Sequence, residues 1–174
     1  MRERRQIQQR RALCATVLAV ALGAVSSDAL GATATSSFTV TGTVTANCTI
    51  STAGINFTYD PVAANAGTNA TATGTVTIAC TKGSAPSIGL NAGLNAGLGP
   101  TGPRAMRLGA TANYLGYDIY WPGTTTSWTT AAPFVPTAPA SKAARTFNMD
   151  GVAFAGQDVA VGSYTDTVTA TVNF

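Results

Sequence analysis

The chain is 174 residues long and sets 10 lysines and arginines against 7 acidic residues, with no histidine. Half of these basic residues precede Ala12, namely Arg2, Arg4, Arg5, Arg10 and Arg11. The length suits one domain with its own core, and the excess of positive charge belongs to one end of the chain. It therefore gives no reason to expect binding to nucleic acid or to an acidic membrane surface.

The first 32 residues have the layout of a signal peptide. An arginine-rich start is followed by an uncharged apolar run over residues 12–25 and by small residues around Gly31, which is the order of a secretory signal that is removed on export. A permanent membrane anchor is the alternative, but the apolar run is shorter than the roughly 20 residues that cross a bilayer. We therefore predict a signal peptide over residues 1–32.

Removal of that segment leaves a nearly neutral chain with two cysteines. The remaining bases and acids are Lys82, Arg104, Arg107, Lys142 and Arg145, and Asp60, Asp118, Asp150, Asp158 and Asp166. Cys14 leaves with the signal, and the remaining pair, Cys48 and Cys80, predicts one disulfide in an exported chain. A metal site is the poorer alternative, because two thiolates without histidine lack the usual four ligands. We expect no metal and no other cofactor.

The mature chain begins with a threonine-rich alternating segment within residues 33–46. A period of two indicates a strand. One face of that strand would carry Phe38, Val40, Gly42 and Val44, and threonines would fill the other face. Residues 73–80 repeat this alternation and end at Cys80.

Weaker strand patterns follow at residues 55–59, 87–91, 105–108, 114–121 and 145–150, and turn-forming residues separate them. The last segment, residues 164–174, alternates strongly. Its shared face carries Tyr164, Val168, Ala170, Val172 and Phe174, with Asp166 interrupting it near the start. Short strands at this spacing predict an all-β sandwich or barrel. The repeated Asn-Ala-Gly-Leu of residues 91–98 predicts a flexible surface loop.

The mature chain is short of the groups that catalysis needs. It has no histidine and no glutamate, so a serine nucleophile would lack its usual base, although Lys82 or Lys142 could formally serve. We therefore expect no enzymatic activity. The aromatic residues Tyr117, Tyr120 and Trp121 leave a carbohydrate-binding surface as an alternative, but packing inside a sandwich explains them better.

Several stretches, in this order, carry a resemblance to a known family. The alternating start leads into Cys48, and Gly-Thr-Val-Thr-Ile-Ala-Cys ends at Cys80. Arg-Ala-Met begins at Arg104, Asn-Tyr-Leu-Gly-Tyr-Asp-Ile-Tyr begins at Asn113, and Trp128 follows. The end, Gly-Ser-Tyr-Thr-Asp-Thr-Val-Thr-Ala-Thr-Val-Asn-Phe, is the most specific piece. Together they resemble the spore coat protein U domain family, which includes secreted pilins of the archaic chaperone–usher pathway. The Gly/Pro-rich stretch 91–103 departs from the family pattern.

The resemblance implies an incomplete immunoglobulin-like β-sandwich over residues 47–174 that lacks its last strand. Residues 33–46 would be a donor-strand extension, with Phe38, Val40, Gly42 and Val44 as the donor side chains. In such pilins a periplasmic chaperone supplies the missing strand until, at the outer-membrane usher, the extension of the next subunit replaces it. The acceptor groove and chaperone docking strand would carry Tyr164, Val168, Ala170, Val172 and Phe174.

The resemblance thus implies a structural pilus (fimbrial) subunit, secreted through the periplasm to the cell surface. It would join neighbouring subunits head to tail into an open polymer and support adhesion or biofilm formation. The alternative for the extension is a strand paired within its own domain. The alternatives for the whole protein are a non-fibrous, self-complemented spore coat or cell-surface protein and a secreted carbohydrate-binding module.

Overall fold

The computed structural model describes residues 31–174, so almost all of the predicted signal peptide lies outside the described residues. The chain divides into two units between Thr41 and Gly42. Every regular element within residues 31–174 is a β-strand. That part of the chain holds no helix with the length and apolar character needed to cross a membrane.

Eight strands form the second unit. They are β1 (Cys48–Ala53), β2 (Ala70–Cys80), β3 (Ser87–Leu90), β4 (Arg104–Leu108), β5 (Tyr114–Tyr120), β6 (Arg145–Ala153), β7 (Tyr164–Thr165) and β8 (Ala170–Asn173). β2 and β8 are rich in threonine and β-branched residues, which suit a pleated, half-buried strand.

The strands form two sheets, and every ladder between them is antiparallel. The larger sheet has the order β1-β2-β6-β5-β4-β7, and the smaller one contains β3 and β8. Since β7 and β8 belong to one continuous segment, the chain passes from the first sheet to the second within residues 166–169. The large sheet curls, so that its edge strand β1 also approaches β8. The prediction of an all-β sandwich is confirmed.

Besides the division of the last segment into β7 and β8, three strand predictions differ from the structure. β1 occupies residues 48–53, where we predicted no strand, because β2 holds it in register from Cys48↔Cys80 to Ala53↔Thr75. Residues 55–59 alternate between half-buried and exposed like a strand, but they join no ladder in the described chain. Residues 38–45 are exposed and likewise join none. Alternation identifies the faces of a strand, whereas a partner is needed to pair its backbone.

The core between the sheets is built around Trp128, which is fully buried. Its indole Nε1–H donates to the carbonyl of Ile88 at 2.6 Å, and its ring lies 5.3 Å from that of Phe134. Aliphatic residues of β2 and β3 complete the buried cluster around the indole: Val76, Ile78, Ile88 and Leu90. The aromatic side chain is therefore a structural element of the sandwich.

A buried ion pair crosses the same core. Arg104 of β4 donates to the carboxylate of Asp118 of β5, and both side chains are almost fully buried. Arg104 also donates to the carbonyls of Asn91 (3.2 and 3.0 Å) and Trp128 (2.6 Å). The Asp118 carboxylate accepts a further bond from the N–H of Ile119. Such complete pairing offsets the cost of removing both charges from water.

The predicted disulfide is present. Cys48 and Cys80 face each other across the β1–β2 ladder, with an S–S distance of 2.06 Å and a Cα–Cα distance of 4.1 Å. The bond fixes the first residue of β1 to the last residue of β2. It therefore sets where the domain begins after the N-terminal extension.

Removal of the disulfide should weaken the domain measurably. We expect the double variant Cys48→Ser, Cys80→Ser to lose about 3.5–4 kcal/mol of unfolding free energy, because a loop with a sequence separation of 32 is no longer closed in the unfolded state. Denaturant unfolding at high dilution, where the protein stays monomeric, followed by tryptophan fluorescence, measures the loss. The unsubstituted protein in excess reductant is the control and should lose the same amount. A double variant as stable as the oxidised protein would contradict this assignment.

Breaking the buried ion pair should cost a similar amount. We expect Arg104→Met to lower the free energy of unfolding by about 3–5 kcal/mol, because it leaves the Asp118 carboxylate buried without its cation. Lys142→Met is the matched control, since Lys142 is exposed, and its effect should stay within about 0.5 kcal/mol. If both substitutions cost the same, the pair does not stabilise the core.

Candidate functional site

An open groove runs between residues 55–59 and the last strand segment. It consists of two cavities of about 370 and 560 Å³. Both cavities are lined by Ile55, Asn56, Phe57, Met106 and Tyr164, so they form one continuous cleft. Its floor includes core residues such as Leu90, Ile119 and Met149. The groove therefore opens the hydrophobic core of the sandwich along the length of a strand.

The first wall of the groove is the extended segment 55–59. Ile55 and Phe57 turn inward and pack on the core. Two glycines of the sheet beneath make room for them: a Cβ on Gly74 would lie 2.7 Å from Ile55, and a Cβ on Gly151 would lie 2.8 Å from both Ile55 and Phe57. These glycines allow the wall to lie directly on β2 and β6. This role was not predictable from the sequence, because it depends on a contact between distant segments.

The second wall is the last segment, which is paired on one side only among the described residues. β7 pairs with β4 through Arg107 and Leu108, and β8 pairs with β3. Between them, Thr169 N–H donates to Asn91 Oδ1 at 2.9 Å and its carbonyl accepts from Asn91 N–H at 3.0 Å. Because Arg104 binds the Asn91 carbonyl, the buried ion pair helps to hold this wall in place.

A polar group interrupts the apolar inward face of this wall. Asp166 lines the first cavity beside Tyr117, and the Tyr117 hydroxyl donates to its Oδ2 at 2.7 Å. Its Oδ1 accepts from Leu94 N–H (2.9 Å), Asn95 Nδ2 (3.2 Å) and Thr167 N–H (2.9 Å). The carboxylate is thus fixed inside the groove by donors from three segments.

The same carboxylate holds the loop of residues 91–98 in place. Gly93 adopts φ 80°, a conformation that favours glycine, and a Cβ there would clash with the Asp166 carboxylate. Further along, Gly99 lies against Gly116 and Ala105. Although Leu94 and Leu98 are exposed, the prediction of a flexible surface loop missed these anchoring contacts, since they connect residues that are far apart in sequence.

The predicted acceptor residues differ in how they meet the groove. Tyr164, Val168 and Ala170 line it. Val172 packs on the core within the β3–β8 ladder, and Phe174 is 53% exposed at the end of the chain. Neither of these two contributes to the lining of the cavities.

The predicted donor residues carry their apolar side chains in solvent. Phe38 is 87% exposed, Val40 81% and Val44 85%. A Cβ placed on Gly42 would meet no atom within 4 Å. In the described chain, this alternating apolar face has no partner of its own.

The aromatic residues considered for carbohydrate binding serve mainly in packing. Tyr117 is buried, and Trp121 packs edge-on to Phe134 while its Nε1–H donates to the Ala132 carbonyl at 3.2 Å. Tyr120 is half-buried. Within residues 31–174 no cluster of three or more histidine, cysteine or acidic side chains could hold a metal ion.

Comparison with known structures defines the class of this fold. The chain is similar to a chain in the crystal structure of the CsuC–CsuE chaperone–tip adhesion subunit pre-assembly complex, from archaic chaperone–usher Csu pili of Acinetobacter baumannii. The TM-score is 0.55 and the identity 23%, over 76% of this chain and 41% of that chain. The chain therefore spans less than half of that relative's length. The shared fold is the incomplete immunoglobulin-like sandwich of pilin-type proteins.

The family follows from the sequence match. Residues 34–171 match the Spore Coat Protein U domain, which confirms the resemblance seen in the motifs. The chain belongs to the Spore Coat Protein U domain family. A search of curated proteins finds no match.

The Tyr117–Asp166 contact predicts a specific response to alkaline pH. Burial, together with the hydrogen bond to Asp166, raises the pKa of Tyr117 above its ordinary value near 10. The fold therefore favours the neutral hydroxyl. The neutral Tyr117 hydroxyl contributes fully to the free energy of unfolding below the ordinary tyrosine pKa. This contribution is lost as the pH rises beyond that value.

We expect the Tyr117→Phe variant to lose less stability than the unsubstituted protein between about pH 9 and 11, because it has no hydroxyl to ionise there. At neutral pH the variant should be less stable by about 1–3 kcal/mol, since one acceptor site of the Asp166 carboxylate loses its donor. Tyr114→Phe is the control, and should follow the unsubstituted protein. Urea unfolding at several pH values measures both effects, and parallel pH profiles for all three proteins would refute the role of Tyr117.

Proposed function

We propose that this protein is a structural pilus subunit of a chaperone–usher system, secreted through the periplasm and assembled on the cell surface. Family membership and the fold shared with a chain of a chaperone–pilus subunit complex support this proposal. In this proposal the mature chain has no enzymatic role and needs no cofactor. Its partners are a periplasmic chaperone, an outer-membrane usher and neighbouring subunits.

One observation carries the assembly mechanism: the domain has a strand-shaped gap, and the same chain has an exposed strand-like segment. The groove is bordered by residues 55–59 on one side and by the last segment on the other. The backbone edge that each of them turns towards the groove joins no β-ladder in the described chain. The extension offers an alternating apolar face at Phe38, Val40 and Val44. An added strand would gain backbone hydrogen bonds from the groove edge and bury alternate side chains, which is the chemistry of β-augmentation.

The donor segment belongs to a neighbouring copy in this proposal, so that each subunit fills the groove of the next. A head-to-tail contact of this kind does not close on itself and produces an open filament. Before assembly the periplasmic chaperone covers the same groove and docks on the last strand, including β8. Exchange of the chaperone strand for the extension of another subunit then drives polymer growth. The resulting fibre would support adhesion or biofilm formation.

Deletion of the extension tests the donor role. A mature chain without residues 33–45 should still form a soluble complex with its chaperone but should fail to polymerise, because its groove is intact and its donor is missing. Co-purification with the chaperone and size analysis of the fibres measure the two properties. Polymerisation at the normal rate by the shortened chain would disprove the donor assignment.

Substitutions within the intact extension provide a matched comparison. Phe38→Ser with Val40→Ser should abolish polymerisation, because burial of the two apolar side chains supplies about 1.5–3 kcal/mol each. Thr39→Ser with Thr41→Ser changes the opposite face and should leave polymerisation intact. If the two variants behave alike, the apolar face does not enter a groove.

Solubility separates this proposal from a self-complemented coat protein. Expressed alone, the mature chain should aggregate, because an open groove exposes apolar core and backbone edges. Co-expression with the chaperone, or a synthetic peptide of residues 33–46, should keep it soluble. A chain that is a soluble monomer by itself would favour the non-fibrous alternative.

A further inference from the structure

The inward face of the last segment and the donor face of the extension each have one exception to their apolar pattern. Along the inward face of the last segment, Asp166 is the polar exception between Tyr164 and Val168. Along the donor face, Gly42 is the position without a side chain between Val40 and Val44. We propose, building on the donor role above, that Gly42 lies opposite Asp166 and that the extension enters antiparallel to the last segment.

The cost of burying a carboxylate under an apolar side chain selects this register. Asp166 is held inside the groove by hydrogen bonds from Tyr117 and the loop, so moving its carboxylate out of the way would break them. A shift of two residues in either antiparallel direction would place Val40 or Val44 directly on the carboxylate. Burying a charged group against apolar atoms is strongly unfavourable, whereas glycine leaves the space open and lets backbone or water approach.

The sizes of the neighbouring side chains fit the same register. Phe38 lies opposite Ala170, so the largest donor side chain meets the smallest residue on the inward face of the last segment. Val40 then lies opposite Val168. Val44 lies opposite Tyr164, which borders both cavities.

A larger shift fits less well. If the extension moved four residues towards the C-terminus of the acceptor, Phe38 would lie opposite Phe174, beyond the lining of the groove. The cavity of about 560 Å³ beside Tyr164 and Val161 would then have no donor side chain opposite it. The register with Gly42 at Asp166 spans the groove from Ala170 to Tyr164.

The antiparallel direction of the donor follows from the chain directions of the two walls and from which of them already belongs to a β-ladder. Successive antiparallel ladders from β1 to β7 make the two borders run in opposite directions, so a donor can be antiparallel to only one of them. The last segment already has strand geometry through its ladders with β3 and β4. Residues 55–59 join no ladder. The donor therefore pairs best with the last segment, and antiparallel pairing is the more stable arrangement.

Cysteine cross-linking in the full mature chain tests register and direction together. Val168→Cys is combined, one at a time, with a donor substitution: Phe38→Cys, Val40→Cys, Gly42→Cys or Val44→Cys. The chains are expressed with their chaperone, allowed to exchange and oxidised mildly. Directly opposite residues lie about 4.5–5.5 Å apart and can form a disulfide, whereas pairs displaced by two residues lie about 7–8 Å apart and do so poorly.

We expect the Val40→Cys pair with Val168→Cys to give the strongest ladder of covalent multimers on a non-reducing gel. Val168→Cys alone is the control and should give at most dimers. A strongest ladder from Val44→Cys would show either a parallel donor or an antiparallel donor shifted by four residues, and one from Phe38→Cys or Gly42→Cys would show an antiparallel donor shifted by two residues. Each of these results overturns the register while leaving the donor role intact. Cross-linked monomers, or no ladder in any variant, would instead count against exchange between copies.

A single substitution in the extension gives an independent test. Gly42→Val places a branched side chain over Asp166 in the proposed register, and we expect polymerisation to slow by at least about tenfold. The acceptor domain should keep its stability, because a Cβ on Gly42 contacts nothing in the described chain. Normal polymerisation by Gly42→Val would overturn the proposed register.

Discussion

A sheet edge needs a partner, and this domain leaves two neighbouring edges without one in the described chain. Residues 55–59 and the last segment face each other across a groove that reaches the core. Such edges expose both apolar surface and backbone N–H and C=O groups, which makes them prone to pairing with another chain. The packed core beneath the groove keeps residues 55–59 and the last segment in their positions on either side of it.

That support comes from contacts deep in the sandwich. The disulfide fixes β1 to β2, and the Arg104–Asp118 pair ties β4 to β5. Through Asn91 the same arginine reaches Thr169 of the last segment. In the proposed assembly, a rigid acceptor would lower the entropic cost of binding, because only the donor segment would have to become ordered. The contacts that stabilise the core therefore also hold the segments that border the groove.

In the proposed assembly, the lining of the groove also restricts the register in which a strand can enter it. An entirely apolar cleft would accept any alternating apolar strand in several registers, since a period of two repeats itself. A carboxylate fixed in the lining breaks that repetition, because it disfavours registers that bury it under an apolar side chain. In the proposed assembly Asp166 has that role, and four hydrogen bonds hold its carboxylate in the groove. Polar interruption of an apolar face is thus a means of specifying register.

The sequence by itself determined the class of the protein. Period-two threonine patterns indicated strands, the paired cysteines indicated a disulfide, and the order of motifs indicated the family; the structure and the family match confirm these three. The faces of the alternating segments were also predictable, because alternation alone assigns side chains to one face or the other. The inward positions of Tyr164, Val168 and Ala170 follow from this rule.

The tertiary structure decided which alternating segments find a partner. Residues 48–53 pair with β2, residues 55–59 do not, and the last segment divides between two sheets. It also decided that Asp166 lies in the groove and that Gly74 and Gly151 admit Ile55. These outcomes rest on contacts between residues distant in the chain. A local pattern repeats every two residues and therefore specifies a face, whereas pairing depends on which other edge the folded chain brings alongside.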